Sequence, residues 1–229
     1  LVAPEPKSIA RDIEMAPKKN KSKVADEEVA NLSMGWRKNK MSKVAVQELE
    51  AMGLLQSQAV IQWRAGEGED YPFEGTLETV MFRDFVERGL AVPVSEFFHA
   101  LLHFWVIQLH NLTPQSILHL SIFTHFCEAF LGIFLHFHLF QHFFILVPIP
   151  NATKPAVVGG CELVLRPETR DEYISYKPAG KGVEWKSFWF HVRNFESPLP
   201  ERTPGAPKFE HAGRVLDLVA AKLNVFLTP

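Results

Sequence analysis

The sequence predicts an α+β fold: a predominantly α-helical core, a small two-stranded β element in the C-terminal third, and a disordered basic N-terminal leader. Three observations carry that prediction. Apolar residues recur at helical spacing from about Val46 to Val147, the pattern turns β-branched and alternating after Pro155, and charge is crowded towards the ends. Residues 1–43 hold ten Lys/Arg against six Asp/Glu, whereas Ala91 to Pro150 hold no Lys or Arg and only two acids, Glu96 and Glu128. With 229 residues, 47% apolar content and a formal charge of −2, the chain suits one folded domain with tails. The boundaries read as a leader over 1–43, a domain over 44–195, and a Pro/Gly-punctuated tail over 196–229. Within the domain, helices run to about 147 and strands lie at about 156–166 and 185–193. The chain opens on leucine and stops at Phe226-Leu227-Thr228-Pro229, which reads as a truncated end.

The leader contains a near-repeat, KNKSKVADEEV from Lys19 echoed by KNKMSKVAVQEL from Lys38, too few copies for a solenoid. The first helix follows, with Val46, Leu49 and Met52 on one face and Gly53 at its end. Trp63 to Gly75 is a polar loop. Thr76 then opens a helix with Leu77, Met81 and Phe85 one turn apart, closed by Gly89. Pro93 and Ser95 open another, in which Val94, Phe97, Phe98, Leu101, Trp105 and Leu109 follow the spacing of a buried face.

His110-Asn111-Leu112-Thr113-Pro114 is the clearest local signal. Thr113 can cap an orphan amide, and Pro114 suits the first helical position, where its missing N–H costs nothing. That helix runs to about Leu131, with Ile117, Leu120, Thr124, Cys127 and Leu131 on one stripe, and Gly132 ends or bends it. Phe134 to Val147 is apolar nearly all round and reads as a buried helix stopped by Pro148 and Pro150. Beyond Pro155, Ala156 to Leu165 and Glu184 to Arg193 read as strands that pair with each other across a Pro/Gly-rich connection.

His125 to Leu146, HFCEAFLGIFLHFHLFQHFFIL, carries four histidines, a cysteine and a glutamate, and admits three readings. As a metal site it offers His136 and His138, with His142 one helical turn further on. On a helix His136 faces away from the other two, and a site needs further ligands such as His125, Cys127 or Glu128. As a membrane span, Ala129 to Val147 gives nineteen residues without a formal charge, yet histidines and a glutamine in hydrocarbon need partners that one span lacks. As core, the eleven phenylalanines between Ala91 and Pro150 can each bury roughly 150–250 Å². Burying even half of them contributes on the order of tens of kcal/mol before entropy is subtracted. The core reading prevails; no metal ligands or cofactor are assigned.

Chemistry is hard to assemble from the remaining residues. Glu96 and Glu128 are far apart in sequence, and Asp84 and Glu87 have the spacing of a solvated helix face, so no two-metal carboxylate cluster stands out. Cys127 lacks a turn that would expose its sulfur, and with Cys161 it forms no paired ligand spacing, which favours a reduced, intracellular setting. Gly159-Gly160 needs only a tight turn. Nucleic acid is a candidate partner through Lys18, Lys19, Lys21, Lys23, Arg37, Lys38, Lys40 and Lys43, with non-specific, salt-sensitive contact expected. Nuclear import is a further use of such a stretch.

An ordered series of short segments adds a family. It runs through Gly53-Leu54-Leu55, Trp63-Arg64, Phe85-Val86-Glu87-Arg88-Gly89-Leu90, Leu101-Leu102-His103-Phe104, Gln108 to Pro114, Ile117-Leu118-His119, Cys127 to Ile133, Val158-Gly159-Gly160 and Trp185 to Val192. Across about 44–192 the chain resembles the plant gypsy-type transposase domain of retroelement-derived proteins in grasses. It departs from that family at Phe134-Leu135 and Phe140-Gln141, where a proline and then a tryptophan with a basic residue are usual. The resemblance implies a capsid-like or accessory retroelement product and brings no catalytic residues. The expected function is therefore protein association or self-association without catalysis, with a nucleic-acid-binding accessory module as the alternative and a membrane role disfavoured.

Overall fold

The computed structural model describes residues 34–73, 77–149, 157–176 and 184–193. At its centre is the helix announced by Thr113 and Pro114. Thr113 Oγ1 accepts the Ser116 amide at 3.2 Å, Pro114 occupies the first turn, and the α-helix runs Pro114–His125. It widens into a π-helix, Phe126–Leu131, and stops at Gly132, whose φ of 59° is a left-handed cap. Ile117, Leu120, Phe123 and Cys127 are buried along it, while Leu131 emerges into solvent because the wider turn rotates the stripe.

Two earlier helices also start at serine caps, of which Ser95 is the one the sequence predicts. Ser42 Oγ accepts the Ala45 amide ahead of α1 (Lys43–Ala51), which buries Val46 and Leu49 but leaves Met52 exposed. The four-residue α2 (Gln58–Ile61) precedes β1 (Arg64–Ala65). β2 (Glu78–Phe82) runs directly into α3 (Arg83–Glu87). Ser95 Oγ accepts the Phe98 amide ahead of α4 (Glu96–Trp105), whose Phe98, Leu101 and Trp105 are buried. The helix Pro114–His125 is α5; α6 (Phe137–Phe143), β3 (Phe144–Pro148), β4 (Cys161–Leu165) and β5 (Trp189–Arg193) complete the order.

Helices dominate the core and a small two-stranded β element is present, as the sequence predicts, but its strands are not the predicted pair. β4 pairs antiparallel with β3, Ile145 opposite Val164 and Leu146 opposite Leu163. The second predicted strand, β5, instead lies in the middle of a three-stranded antiparallel sheet ordered β1-β5-β2. Trp189 to Val192 are all buried, so β5, central in its sheet, is covered on both faces.

Two predicted helices are corrected. The helix expected from Thr76 is a strand, Glu78–Phe82, followed by a helix of five residues; Gly89, with φ 94°, closes that helix as expected. Thr76 itself lies outside the described residues, and Leu77 is exposed rather than on a buried face. The helix expected over Phe134–Val147 is only Phe137–Phe143, and Phe144 turns extended to begin β3. A short run such as Phe144-Ile145-Leu146-Val147 packs equally well as buried helix or buried strand, and the choice fell to β4, which supplies its hydrogen-bond partners.

The packed body also takes in residues from the stretch read as leader. Trp36 and Met41 are buried, Trp36 stacks on Phe82 with ring centroids 5.9 Å apart, and Lys40 N–H donates to the Ser187 carbonyl at 2.7 Å. The rest of the leader and the tail beyond Arg193 lie outside the described residues. Around α5 the aromatic surplus forms the core. Phe123 meets Phe140 at 5.0 Å edge-on, and Phe140 stacks on Phe144 at 4.8 Å. Ser116, fully buried, ties α5 to the hairpin by accepting the Leu163 amide at 2.8 Å.

Candidate functional site

The histidine–phenylalanine run does not behave as one element, and its histidines scatter. His125 is exposed at the end of α5, its ring 5.6 Å from that of Phe130. His136 and His138 are exposed, and their ring centroids lie 5.6 Å apart. His142, one turn beyond His138 on α6, is instead buried, and its Nε2 lies 3.1 Å from the Glu172 carboxylate. The turn that relates His138 and His142 thus leaves one ring in solvent and ties the other to Glu172. Among the described residues no three His, Cys, Asp or Glu side chains are placed to hold a metal ion.

Nor does a nucleophile assemble. Burial, with Glu128 adding to it, pushes the Cys127 thiol up to about 11, and burial alone pushes Cys161 up to about 12. Both cysteines are buried and neither forms a disulfide. Of the acids, Glu96 and Glu128 are exposed, and Glu87 is taken by Arg83 at 2.7 Å. Burial, then Glu87, raises the Asp84 carboxyl above its ordinary range.

Sequence reading missed the most organised polar cluster. His191, fully buried on β5, places Nε2 3.3 Å from Glu69 Oε2 and Nδ1 3.9 Å from Glu78 Oε2. Arg64 on β1 forks onto Glu78, with Nε 2.9 Å and Nη2 2.8 Å from its oxygens, and reaches Glu69 at 3.2 Å. Burial first, then the Arg64 charge, pushes His191 below its usual value; Glu69 and Glu78 oppose that shift. With the imidazole sealed from solvent, the cluster fastens β1 and β2 to the central strand. Arg64, Glu69 and Glu78 lie near one another in sequence, but His191 is 122 residues from Glu69, so no local spacing signals the cluster.

What distinguishes the surface is apolar exposure around the π-helix. Phe130 is 72% exposed, Phe134 95% and Leu131 38%, at the turn between α5 and α6. Phe104, also exposed, packs edge-on against Phe137 at 4.8 Å, extending this rim onto α4. Single π turns recur at functional positions. The chain bends sharply here: Gly132 is left-handed, and His136 is extended just ahead of α6. The apolar run 129–147 is thus split among π-helix, extended chain, α6 and β3. Among the described residues no helix is long and apolar enough to cross a membrane.

The basic residues fare differently. Lys18, Lys19, Lys21 and Lys23 lie outside the described residues. Arg37, Lys38, Lys40 and Lys43 are exposed, but Lys38 lies 3.7 Å from Asp70 and Lys40 2.7 Å from Glu184. Acidic residues outnumber basic ones fifteen to eleven among the described residues, which opposes a phosphate backbone rather than attracting one.

Residues 80–148 match a family model. It is described as "Putative gypsy type transposon". The gypsy-type match starts within β2 and ends with β3, so it spans α4, α5, the π-helix and the exposed rim but leaves out β4, β5 and the Arg64–His191 cluster. It falls inside the 44–192 stretch over which the resemblance was read. Neither a curated protein nor a solved structure shows significant similarity to this chain.

Proposed function

We propose that the chain acts by protein association, without catalysis, as a capsid-like or accessory domain derived from a plant gypsy-type retroelement. The observation that carries this reading is the pair Phe130 and Phe134, left 72% and 95% exposed beside a core that buries most of its other large aromatics. Large aromatic rings held at a bend, with no charged residue but Glu128 nearby in sequence, have the composition of an interface centre. The segment that matches the family model contains this rim, and among the described residues no group of three or more His, Cys, Asp or Glu is placed to hold a metal ion. The alternative, a nucleic-acid accessory module acting through the basic leader, rests on lysines outside the described residues, and the acidic balance of the body gives it no help.

The test is sedimentation velocity of the full chain in EDTA over a range of concentrations, beside the double variant Phe130→Ser, Phe134→Ser. The wild type should associate with rising concentration and the variant should not, with equal thermal midpoints because both rings lie outside the core. A wild type that stays monomeric, or a variant that associates equally, would falsify the reading.

A further inference from the structure

His136 and His138 stand on the same rim. We propose that they form half of a transition-metal site of the type zinc occupies, completed by the same pair from a second copy of the chain. On a regular helix the spacing i, i+2 would send the two rings apart. Here His136 is extended, with φ −124° and ψ 122°, and His138 rides the first turn of α6. The break in secondary structure brings the ring centroids to 5.6 Å with 44° between their planes. Two imidazoles on one tetrahedral zinc, each at a Zn–N distance of about 2.0–2.1 Å, have centroids about 5 Å apart, so the observed pair needs little movement to share an ion.

The remaining histidines of the run are occupied otherwise. His142 is buried against Glu172, and His125 packs on Phe130. One copy therefore offers two nitrogen ligands where a closed tetrahedral site needs four, and no third ligand converges among the described residues. A two-fold axis through the ion supplies the missing pair with the same chemistry. Charge favours a second copy as the partner. No Lys or Arg lies between Ala91 and Pro150 in the sequence, so the segment that carries the pair brings no cation of its own to a contact with itself. The same contact would cover Phe130 and Phe134. The identity of the partner rests on the rim being an association surface; the ion rests on the ring geometry alone.

The experiment uses the full chain at a concentration where it is monomeric in EDTA, adds zinc chloride to one equivalent per two chains, and measures mass and bound zinc. Expected are a doubled mass with one zinc per two chains, reversal by EDTA, and no change for His136→Ala, His138→Ala, whose exposed side chains leave the fold intact. Mass unaffected by zinc, equal doubling in the histidine variant, or one zinc per undimerised chain would each overturn the site. The Phe130→Ser, Phe134→Ser protein separates the two ideas. If it still doubles with zinc but never associates in EDTA, the metal pair stands and the apolar rim alone accounts for metal-free association. If the wild type associates in EDTA but ignores zinc, the rim survives and the metal site fails.

Discussion

Asn39 and Trp189 are 150 residues apart in sequence and joined by a buried hydrogen bond, Asn39 Nδ2 donating to the Trp189 carbonyl at 2.7 Å. Asn39 Oδ1 accepts the Met41 amide at 2.8 Å, and Trp189 Nε1 donates to the Arg37 carbonyl at 3.1 Å. The segment before α1 is therefore laced to the central strand of the three-stranded sheet.

Replacing Asn39 with alanine should strand the Trp189 carbonyl and the Met41 amide in a dry site. The expected loss is about 1–3 kcal/mol, read as a lower urea midpoint at unchanged slope. Deleting residues 1–43, which removes Trp36, Asn39 and Met41 together, should abolish a cooperative thermal transition. A deletion mutant that melts like the full chain would show that this segment is dispensable.

Gly159 has φ 61°, and a Cβ there would lie 2.6 Å from Cζ2 of Trp185. Gly159→Ala combines left-handed backbone strain with a collision against a large ring, so it should destabilise by more than about 1 kcal/mol. Gly132→Ala is the control: its φ is 59° but nothing lies within 4 Å, so only the backbone penalty applies. Equal melting temperatures for the two variants would show that the Trp185 ring moves aside freely.

Ser116→Ala removes the acceptor of the Leu163 amide, the bond between α5 and the β3–β4 hairpin. The buried amide then lacks its partner, at a cost of about 1–3 kcal/mol. Amide exchange should locate the effect: protection at Leu163 should fall more than protection within β5. Uniform loss across both sheets would mean that the hairpin has no separate opening.

Stability should fall on acidification below neutral pH. His119 is half-buried against Phe144 and paired with the Tyr176 hydroxyl, and desolvation pushes it from 6.5 down to about 4. The unfolded chain binds this proton before the folded one does, so the contribution is intact above 6.5 and is lost as pH falls towards 4. The full loss is on the order of 3 kcal/mol. Burial lowers His99 and His191 too, which deepens the trend. His119→Phe should show a smaller drop in urea midpoint between pH 7 and pH 5 than wild type; an equal drop would assign the acid sensitivity to other groups.

Where sequence and structure agree, the deciding chemistry spans one helical turn. Ser95 and Thr113 cap the amides three residues on, Pro114 fills a first turn, and Gly89 and Gly132 end helices through positive φ. Where they part, the deciding partner is distant. Leu77, Met81 and Phe85 carry helical spacing, yet β5 offers Glu78–Phe82 a ladder 107–115 residues away, Glu78 opposite Arg193 and Phe82 opposite Trp189. The histidines of the run lie close in sequence, and tertiary packing distinguishes them: His142 is buried beside Glu172, while His125, His136 and His138 stay exposed.

From the sequence alone came the helical core, its capped ends, the uncharged middle and the aromatic surplus, because caps, periodicity and composition act through neighbours along the chain. Tertiary structure decided which strands pair, that Trp36 to Met41 belong to the body, and which rings stay outside. Strand partners and burial depend on which surfaces meet, and an apolar segment such as Phe134–Val147 satisfies local rules as helix or strand until a hydrogen-bonding neighbour takes one side.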